Sequence, residues 1–196
     1  LSTGWVVLDD ESLRFVDFAG EELRRELLPV RGKLYAGEDR VFVTFDELER
    51  SHVRFVGDET SEMVLEEEVR AVGTWVAPEG VLWITASRGG DAYLRPPATE
   101  LYRVDGLELT QALAGSSVAL YGSLLDVDGV LYSLGEDLTR LVDVDSAPRE
   151  VAPHVYEYTS DGEHVLARWD GELIELARAS ERFDIRANGV RWRDAD

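Results

Sequence analysis

Several carboxylates stand close together around one short turn and have the chemistry of a cation site. Asp126 and Asp128 lie two residues apart, Gly129 follows them, and Glu136 and Asp137 come shortly downstream. Calcium takes six to eight oxygen ligands, which regularly spaced carboxylates supply. The complete calcium-loop pattern is missing here, and an Asp-Gly pair is a strong hairpin-turn signal. The sequence therefore favours a turn, and Asp126 and Asp128 are the metal ligands of the alternative interpretation.

No residues are arranged in a recognisable catalytic pattern. The three histidines, His52, His154 and His164, lie outside any nucleophile–base motif. Cysteine is absent, which excludes disulfides, thiolate metal sites and cysteine nucleophiles. With 40 acidic residues in the chain, any chosen pair of glycosidase-like carboxylates carries no information. We therefore predict no catalytic residues and no cofactor, although a triad assembled in space would escape this reasoning.

Arginine and tyrosine are concentrated in one segment with the composition of a binding loop. The segment Ser87–Thr99 contains Arg88, Tyr93 and Arg95, in a chain with 40 acidic and 20 basic residues. Loops that project from rigid scaffolds carry many binding sites, and Arg and Tyr are enriched in binding hot spots. We predict an exposed partner-binding loop with these three residues as contacts. A neutral surface insertion is the alternative.

Tryptophan side chains have either a ligand-binding or a packing role. Aromatic side chains bury large areas and fit the pleated faces of sheets. For Trp5, Trp75 and Trp169 we therefore expect packing between sheets.

The elements that must position these residues are predicted to be β-strands. Short runs rich in Val, Leu, Phe, Tyr and Trp recur along the whole chain, separated by turn residues. Gly20–Leu28 and Leu107–Leu113 fit a short helix or a strand, and we predict strands because their neighbours are strands. The predicted runs are Trp5–Leu8, Leu13–Phe18, Val41–Phe45, Val53–Val56, Met63–Leu65, Trp75–Ala77, Val81–Ala86, Leu101–Val104, Val118–Tyr121, Val130–Leu134, Leu138–Val142, Val155–Tyr158, Val165–Trp169 and Leu173–Ala177.

The strands repeat as a unit. The segments Val130–Asp143 and Val165–Arg178 match at an offset of 35 residues, with an Asp-Gly turn before each. Looser copies give about five units in all, and we expect equivalent strands around Leu13, Val53, Leu101, Leu138 and Leu173. From Leu82 to Leu101 the interval is 19 residues instead of the 7 between Leu131 and Leu138, which identifies the insertion of about 12 residues described above.

A period of about 40 residues with three to four strands per unit resembles the β-propeller superfamily in general, without matching a specific family. The resemblance implies a single β-propeller-like domain over residues 1–196, with about five small blades. It also implies that Gly189–Arg193 supplies a strand beside Trp5–Phe18 to close the ring. A pair of β-sandwiches and a partial propeller are the alternative folds.

The charge of the chain restricts its partners. The formal net charge is −20, and Lys33 is the only lysine. Nucleic acids and anionic membranes attract basic surfaces, so we predict neither nucleic-acid binding nor membrane insertion. The acidity resembles that of salt-adapted proteins, and Arg-rich codon usage is the alternative explanation. No apolar run reaches the roughly 20 residues of a membrane helix and no signal peptide precedes the first strand, so we expect a soluble protein whose localisation stays open.

A repeated scaffold without a catalytic motif favours a non-catalytic protein–protein interaction or structural scaffold module, and no enzymatic activity is predicted. The expected partners are other proteins or further copies of the chain, as in a larger assembly. A carbohydrate-binding propeller is the first alternative, with glycan or cation as ligand. A hydrolase or lyase with a central acidic pocket is the second. Fold resemblance alone does not decide among these functions.

Overall fold

The chain is all-β. A computed structural model describes residues 4–9, 12–29, 31–36, 41–47, 50–56, 61–65, 69–78, 80–88, 97–105, 108–186 and 189–191. These residues form twenty strands and contain no helix, which confirms the predicted fold class at this level. The strands are β1 (Gly4–Leu8), β2 (Ser12–Asp17), β3 (Glu22–Leu27), β4 (Gly32–Ala36), β5 (Val41–Glu47), β6 (Arg50–Val56), β7 (Ser61–Val64), β8 (Val69–Val76), β9 (Leu82–Arg88), β10 (Ala98–Asp105), β11 (Glu108–Tyr121), β12 (Leu124–Val127), β13 (Val130–Leu134), β14 (Leu138–Asp143), β15 (Arg149–Ala152), β16 (Val155–Ser160), β17 (Glu163–Trp169), β18 (Leu173–Ala179), β19 (Asp184–Arg186) and β20 (Gly189–Arg191).

The chain divides into two compact units. Unit 1 comprises Leu1–Val118 and Leu134–Asp137, and unit 2 comprises Ala119–Ser133 and Leu138–Asp196. Unit 1 contains the sheets β1-β2-β3 and β4-β5-β6-β7 and the first strands of a seven-stranded sheet with the order β8-β9-β10-β11-β12-β13-β14. Unit 2 contains the later strands of that sheet, from the last residues of β11 to β14, and the sheets β15-β16-β17-β18 and β19-β20. The two segments with ambiguous helix signals are strands, β3 and the beginning of β11, as predicted.

The middle sheet of unit 1, β4–β7, is buried on both faces. Side chains alternate along a strand, so successive residues of β5 pack on opposite sides. Phe42 lies in a core cluster with Leu82 of β9, whereas Val43 and Phe45 lie in a second cluster with Leu13 of β2. Full burial of such a side chain stabilises the fold by about 1.5–3 kcal/mol. The sheets of unit 1 are therefore held together mainly by apolar contacts between their faces.

Unit 2 uses the same alternation in β17. Val165 packs with Leu131 and Tyr158 on one side of the sheet, and Leu166 packs with Phe183 on the other. Two of the predicted Asp-Gly turns connect strands of this unit. Asp128 and Gly129 have φ angles of 51° and 82°, and the Asp161–Gly162 pair has 55° and 76°. Both pairs therefore adopt the left-handed conformation that a tight two-residue hairpin requires.

The repeat offset holds in unit 2 and fails in part of unit 1. Leu138 and Leu173 are the first residues of β14 and β18, each the last strand of its meander. Val53 and Leu101 lie in β6 and β10, the third strands of their sheets, whereas Leu138 lies in the last strand of the seven-stranded sheet that also contains Leu101, so the predicted equivalence of these residues is wrong. Successive strands of a sheet both show a short apolar pattern after a turn, so the local sequence does not show which position a strand occupies in its sheet.

The predicted ring-closing strand pairs with the strand before it. Within the described part of Gly189–Arg193, β20 pairs with β19 through the register Ile185 to Val190. Strand β1 pairs with β2 and lies at an edge of its own sheet. Within the described residues β20 is thus paired with β19, and the predicted place of Gly189–Arg193 beside Trp5–Phe18 stays a prediction. The single domain over residues 1–196 stays a prediction.

Candidate partner-binding surface

Arg88, the first predicted contact residue, is the last residue of β9 and is already paired within the chain. Its Nε donates a hydrogen bond to Glu100 Oε1 at 2.8 Å, and the Tyr102 hydroxyl donates to Glu100 Oε2 at 2.7 Å. The Arg88 side chain is 43 % exposed, whereas that of Glu100 is 11 % exposed. Tyr93 and Arg95 lie outside the described residues, so the partner-binding role of the three stays a prediction.

The carboxylate of Glu100 is held in its ionised form. Burial raises its pKa, but the hydrogen bonds from Arg88 and Tyr102 outweigh burial, so the pKa lies below the ordinary value. Burial and the bond to Glu100 together raise the pKa of Tyr102 to about 12. The predicted loop is also shorter than Ser87–Thr99, because its first two residues belong to β9 and its last two to β10.

Asp126 and Asp128 lie at the turn between β12 and β13. Asp126 Oδ1 accepts a hydrogen bond from the Gly129 N–H at 2.9 Å, and Asp128 is the first left-handed residue of the turn. Burial raises the pKa of Asp126 above its ordinary value, against the bond from Gly129. The carboxylate thus has the role that the turn interpretation assigns to it.

Two of the three histidines, His52 and His164, lie beside acidic side chains. The His52 ring stacks on Phe45 with centroids 4.9 Å apart, and its Nδ1 is 2.7 Å from Glu62 Oε1. Burial opposes ionisation of Glu62, but hydrogen bonds from Arg54 and His52 prevail and lower its pKa. In unit 2, His164 Nδ1 lies 3.7 Å from the buried Glu157.

Glu157 is the most enclosed carboxylate of unit 2. Its Oε2 accepts a hydrogen bond from the Arg149 guanidinium, Arg182 Nε lies 3.5 Å from the same oxygen, and Oε1 accepts from the Phe183 N–H at 3.3 Å. Burial raises the pKa of Glu157, but the two arginines and the Phe183 N–H outweigh burial and lower it. Sequence reasoning missed this cluster, because its arginines are far from Glu157 along the chain.

The sheet β1–β3 has one buried and one exposed face. Residues directly opposite each other in paired strands project to the same side. Trp5 lies opposite Val16 and Val7 lies opposite Arg14, on the side away from the buried Leu13. Strand β3 continues this outer face with every second residue, as its alternating exposure shows.

The outer face carries large apolar side chains open to solvent. Trp5 and Phe18 are 65 % and 69 % exposed and touch edge to face, with ring centroids 5.9 Å apart. We call the following set the apolar patch: Trp5, Val7, Phe18, Leu23 and Leu27, which are 42–76 % exposed. Exposed apolar clusters on folded domains occur at contact sites for proteins, membranes or ligands.

Charges on the same sheet balance. Arg14 Nε and an Arg25 amino group donate to Glu22 Oε2 at 2.7 and 2.9 Å. The hydrogen bond from Arg25, followed by that from Arg14, lowers the pKa of Glu22 to about 2. The three strands carry three acids and three bases: Asp17, Glu22, Glu26, Arg14, Arg24 and Arg25. The strand residues are therefore balanced in charge, whereas the turns beside them add the acids Asp9 and Glu21, in a chain with a net charge of −20.

The structure corrects one of the three tryptophan predictions. Trp169 is buried as expected and its Nε1–H donates to Ser123 Oγ at 2.7 Å, and Trp75 is partly buried in β8. Trp5 is exposed, because the outer face of its sheet is uncovered within the described residues. A large apolar residue in a strand predicts burial, but only the tertiary structure decides whether anything covers that face.

The sequence matches no protein-family model and no curated protein. In the described ranges there is no helix with the length and apolar character to cross a membrane. The same residues contain no group of three or more His, Asp or Glu that could hold a metal ion. Function must therefore be argued from the surfaces and cavities of this chain.

Proposed function

We propose that this chain is a non-catalytic protein–protein interaction or scaffold module that associates with a second copy of itself through the apolar patch. The observation that carries the proposal is the exposure of Trp5, Phe18 and Leu27 on one sheet face. Isologous dimers bring the same surface of both copies together. Aromatic side chains are enriched at the centres of such interfaces, and Trp is a frequent hot spot.

Electrostatics favours this face for contact between copies. Two chains with a net charge of −20 repel each other over most of their surfaces. The strands β1–β3 carry three acids and three bases, so contact through their outer face meets less repulsion than contact through more acidic parts of the chain. Because salt screens the remaining repulsion, association strengthens as the ionic strength rises.

The proposal includes the finer architecture, in which the successive antiparallel meanders are blades of a propeller-like fold. Two observations support it: every sheet joins strands that are neighbours in sequence, and unit 2 repeats its strand starts at 35 residues. Blades bury apolar faces against each other, and an exposed blade face is a natural surface for association.

Sedimentation velocity of the full chain tests the function over a range of protein concentrations and at two sodium chloride concentrations. We expect a concentration-dependent dimer that is tighter at high salt. Truncation of a hot spot typically costs about 2 kcal/mol or more, so Trp5→Ala should weaken dimerisation by about 30-fold or more. Because Trp5 is 65 % exposed, the melting temperature of the variant should stay close to that of the parent chain.

The matched control is Leu176→Glu, which changes a 51 % exposed leucine of β18. Its partner in the comparison is Leu27→Glu, which places the same charge in the apolar patch. Loss of the dimer in Leu27→Glu but not in Leu176→Glu supports the proposal. A chain that sediments as a monomer at high micromolar concentration and high salt, or a dimer that survives both patch variants, rejects it.

A further inference from the structure

A second candidate site in unit 1 is independent of the apolar patch. It is a cavity of about 100 Å³ between strands β4 and β5 and the segment 71–74 of β8. The polar side chains that line it are those of Arg31, Lys33, Tyr35, Thr44, Asp46 and Thr74. A single water needs about 10–15 Å³ measured in this way, so the cavity has room for a small organic anion.

The register of the strands explains why these groups converge. Lys33 and Tyr35 are two residues apart in β4 and therefore lie on the same face of the strand. Thr44 of β5 lies directly opposite Lys33, so all three side chains project to one side of the sheet. On the opposite wall, β8 has a bulge between Ala71 and Gly73. A bulge bends its strand and interrupts the ladder, which leaves space beside the neighbouring sheet.

Asp46 is fixed at the end of the cavity by a short chain of hydrogen bonds. The Ala71 N–H donates to Ser51 Oγ at 2.9 Å, and the Ser51 hydroxyl donates to Asp46 Oδ1. Ser51 is buried. The second carboxylate oxygen, Oδ2, is not used in this chain of bonds and can accept a further donor.

The charge of the lining differs from that of the whole chain. The lining carries two bases, Arg31 and Lys33, and one acid, Asp46, in a chain with a net charge of −20, and Arg31 has an interaction partner of its own. Lys33 is the only lysine in the sequence. Within the described residues, the Lys33 amine and the hydroxyls of Tyr35 and Thr44 make no hydrogen bond or ion pair. Three donors that line the cavity thus have no partner among the described residues, and the Lys33 side chain is exposed on β4.

We propose that this cavity binds a small molecule that combines an oxyanion, either a carboxylate or a phosphate, with a hydroxyl or amine. Lys33 neutralises the oxyanion, since charge-assisted hydrogen bonds to oxyanions are the strongest kind available to it, and Arg31, which already has a partner, adds positive charge to the cavity wall. The hydroxyls of Thr44 and Tyr35 donate to its remaining lone pairs. Asp46 accepts from the ligand's hydroxyl or amine. The hydroxyl or amine donor distinguishes such a ligand from an anion without a donor, such as chloride.

The single lysine provides a direct assay in the full chain. Lys33 is acetylated with a limiting amount of an N-hydroxysuccinimide ester, and the rate is followed by peptide mass spectrometry. The probes are glycerate and inorganic phosphate, with sodium chloride at matched ionic strength as the reference. We expect a saturable slowing of Lys33 acetylation by about fivefold or more, while the α-amino group, the internal control, reacts at an unchanged rate.

Two variants separate a built site from general electrostatics. Thr44→Val and Asp46→Asn each remove one hydrogen-bonding role, and we expect the half-protecting glycerate concentration to rise about tenfold. Thr139→Val, an exposed threonine of β14, is the matched control and should leave protection unchanged. Thermal melts verify that each variant is folded.

The probes also identify the source of the oxyanion. Protection by glycerate alone assigns a hydroxycarboxylate, and protection by phosphate as well assigns the shared oxyanion chemistry. Protection no greater than that by chloride overturns the proposal. Protection that is equal in the parent chain, Thr44→Val and Asp46→Asn overturns it too, because the anion would then act only through surface charge. The acetylation assay does not depend on dimerisation, so it tests the anion site independently of the proposed function.

Discussion

Replacing Arg88 with Ala tests whether its ion pair with Glu100 stabilises the fold. Breaking a fully buried pair costs about 3–5 kcal/mol, whereas an exposed pair contributes about 0–1 kcal/mol. Here the Glu100 side chain is 11 % exposed and that of Arg88 is 43 % exposed, so the case lies between these limits. In Arg88→Ala the carboxylate keeps only the hydrogen bond from Tyr102, and we expect a loss of about 2 kcal/mol. For a chain of this size that corresponds to a melting temperature about 4–8 °C lower at neutral pH.

The loss of stability in Arg88→Ala should depend on pH in a defined direction. The pKa of Glu100 is lowered in the folded state below the ordinary value of 4.5. Its ionisation therefore stabilises the fold above the unfolded pKa, and this contribution disappears as the pH falls through the lower folded pKa. Thermal melts by circular dichroism from neutral pH to about pH 3 should show the difference between Arg88→Ala and the parent chain shrinking.

Arg140→Ala is the matched control for this experiment. Arg140 pairs with Asp143 in β14, but the two side chains are 58 % and 70 % exposed, so its loss should change stability by about 0.5 kcal/mol or less. Equal melting of Arg88→Ala and the parent chain at neutral pH would refute the argument, as would a difference that does not change with pH. The result also matters for binding studies, because a loop variant that includes Arg88→Ala would change folding and association together.

Three further predictions follow from the geometry and the charge. Ultraviolet titration should show one tyrosine with a pKa of about 12, and this titration should be absent in Tyr102→Phe. Because the pKa is raised in the folded state, the stability that the neutral hydroxyl contributes should be lost as the pH rises from about 10 to 12. A titration curve that is identical in Tyr102→Phe would contradict the assignment. Gly4→Ala places a Cβ atom 2.0 Å from the Val16 carbonyl oxygen, so it should cost about 1–3 kcal/mol in a denaturant melt, whereas Gly135→Ala, whose Cβ meets nothing closer than 3.7 Å, should be nearly neutral; equal costs would count against the packing of β1 on β2. Stability should rise from about 0.05 to 1 M sodium chloride, because screening relieves the repulsion of a −20 chain; a flat or falling melting temperature would be evidence against self-repulsion.

Local signals predicted the strands and turns well. Runs such as Val41–Phe45 carry enough β-branched and aromatic residues to define a strand without tertiary information, and β5 covers that run. The pairs Asp128–Gly129 and Asp161–Gly162 predicted hairpins because few other residues adopt a left-handed conformation at low cost. These features depend on a few adjacent residues, and sequence shows them directly.

Features that depend on several segments of the chain could not be predicted from the sequence. Strand β15 has only four residues, with little apolar content, and gave no strand signal of its own. The cavity beside Lys33 arises from a bulge at Val72, which follows from the pairing of β8 with β9 and has no local signature. Charged residues such as Lys33 on an outer strand otherwise indicate solvent exposure alone. The one available signal was that this lysine is unique in the chain.

The order of the strands also has a consequence for how the chain folds. Every sheet in the described residues joins strands that are neighbours in sequence, from β1–β2 to β19–β20. Contacts of this kind close short loops, so the contact order of the hydrogen-bonded pairs is low for an all-β protein. Each meander can form as soon as its own strands are available, before the rest of the chain has been synthesised. A chain of this design should therefore fold sheet by sheet from its N-terminal end on the ribosome, with each finished face serving as the template on which the next meander condenses.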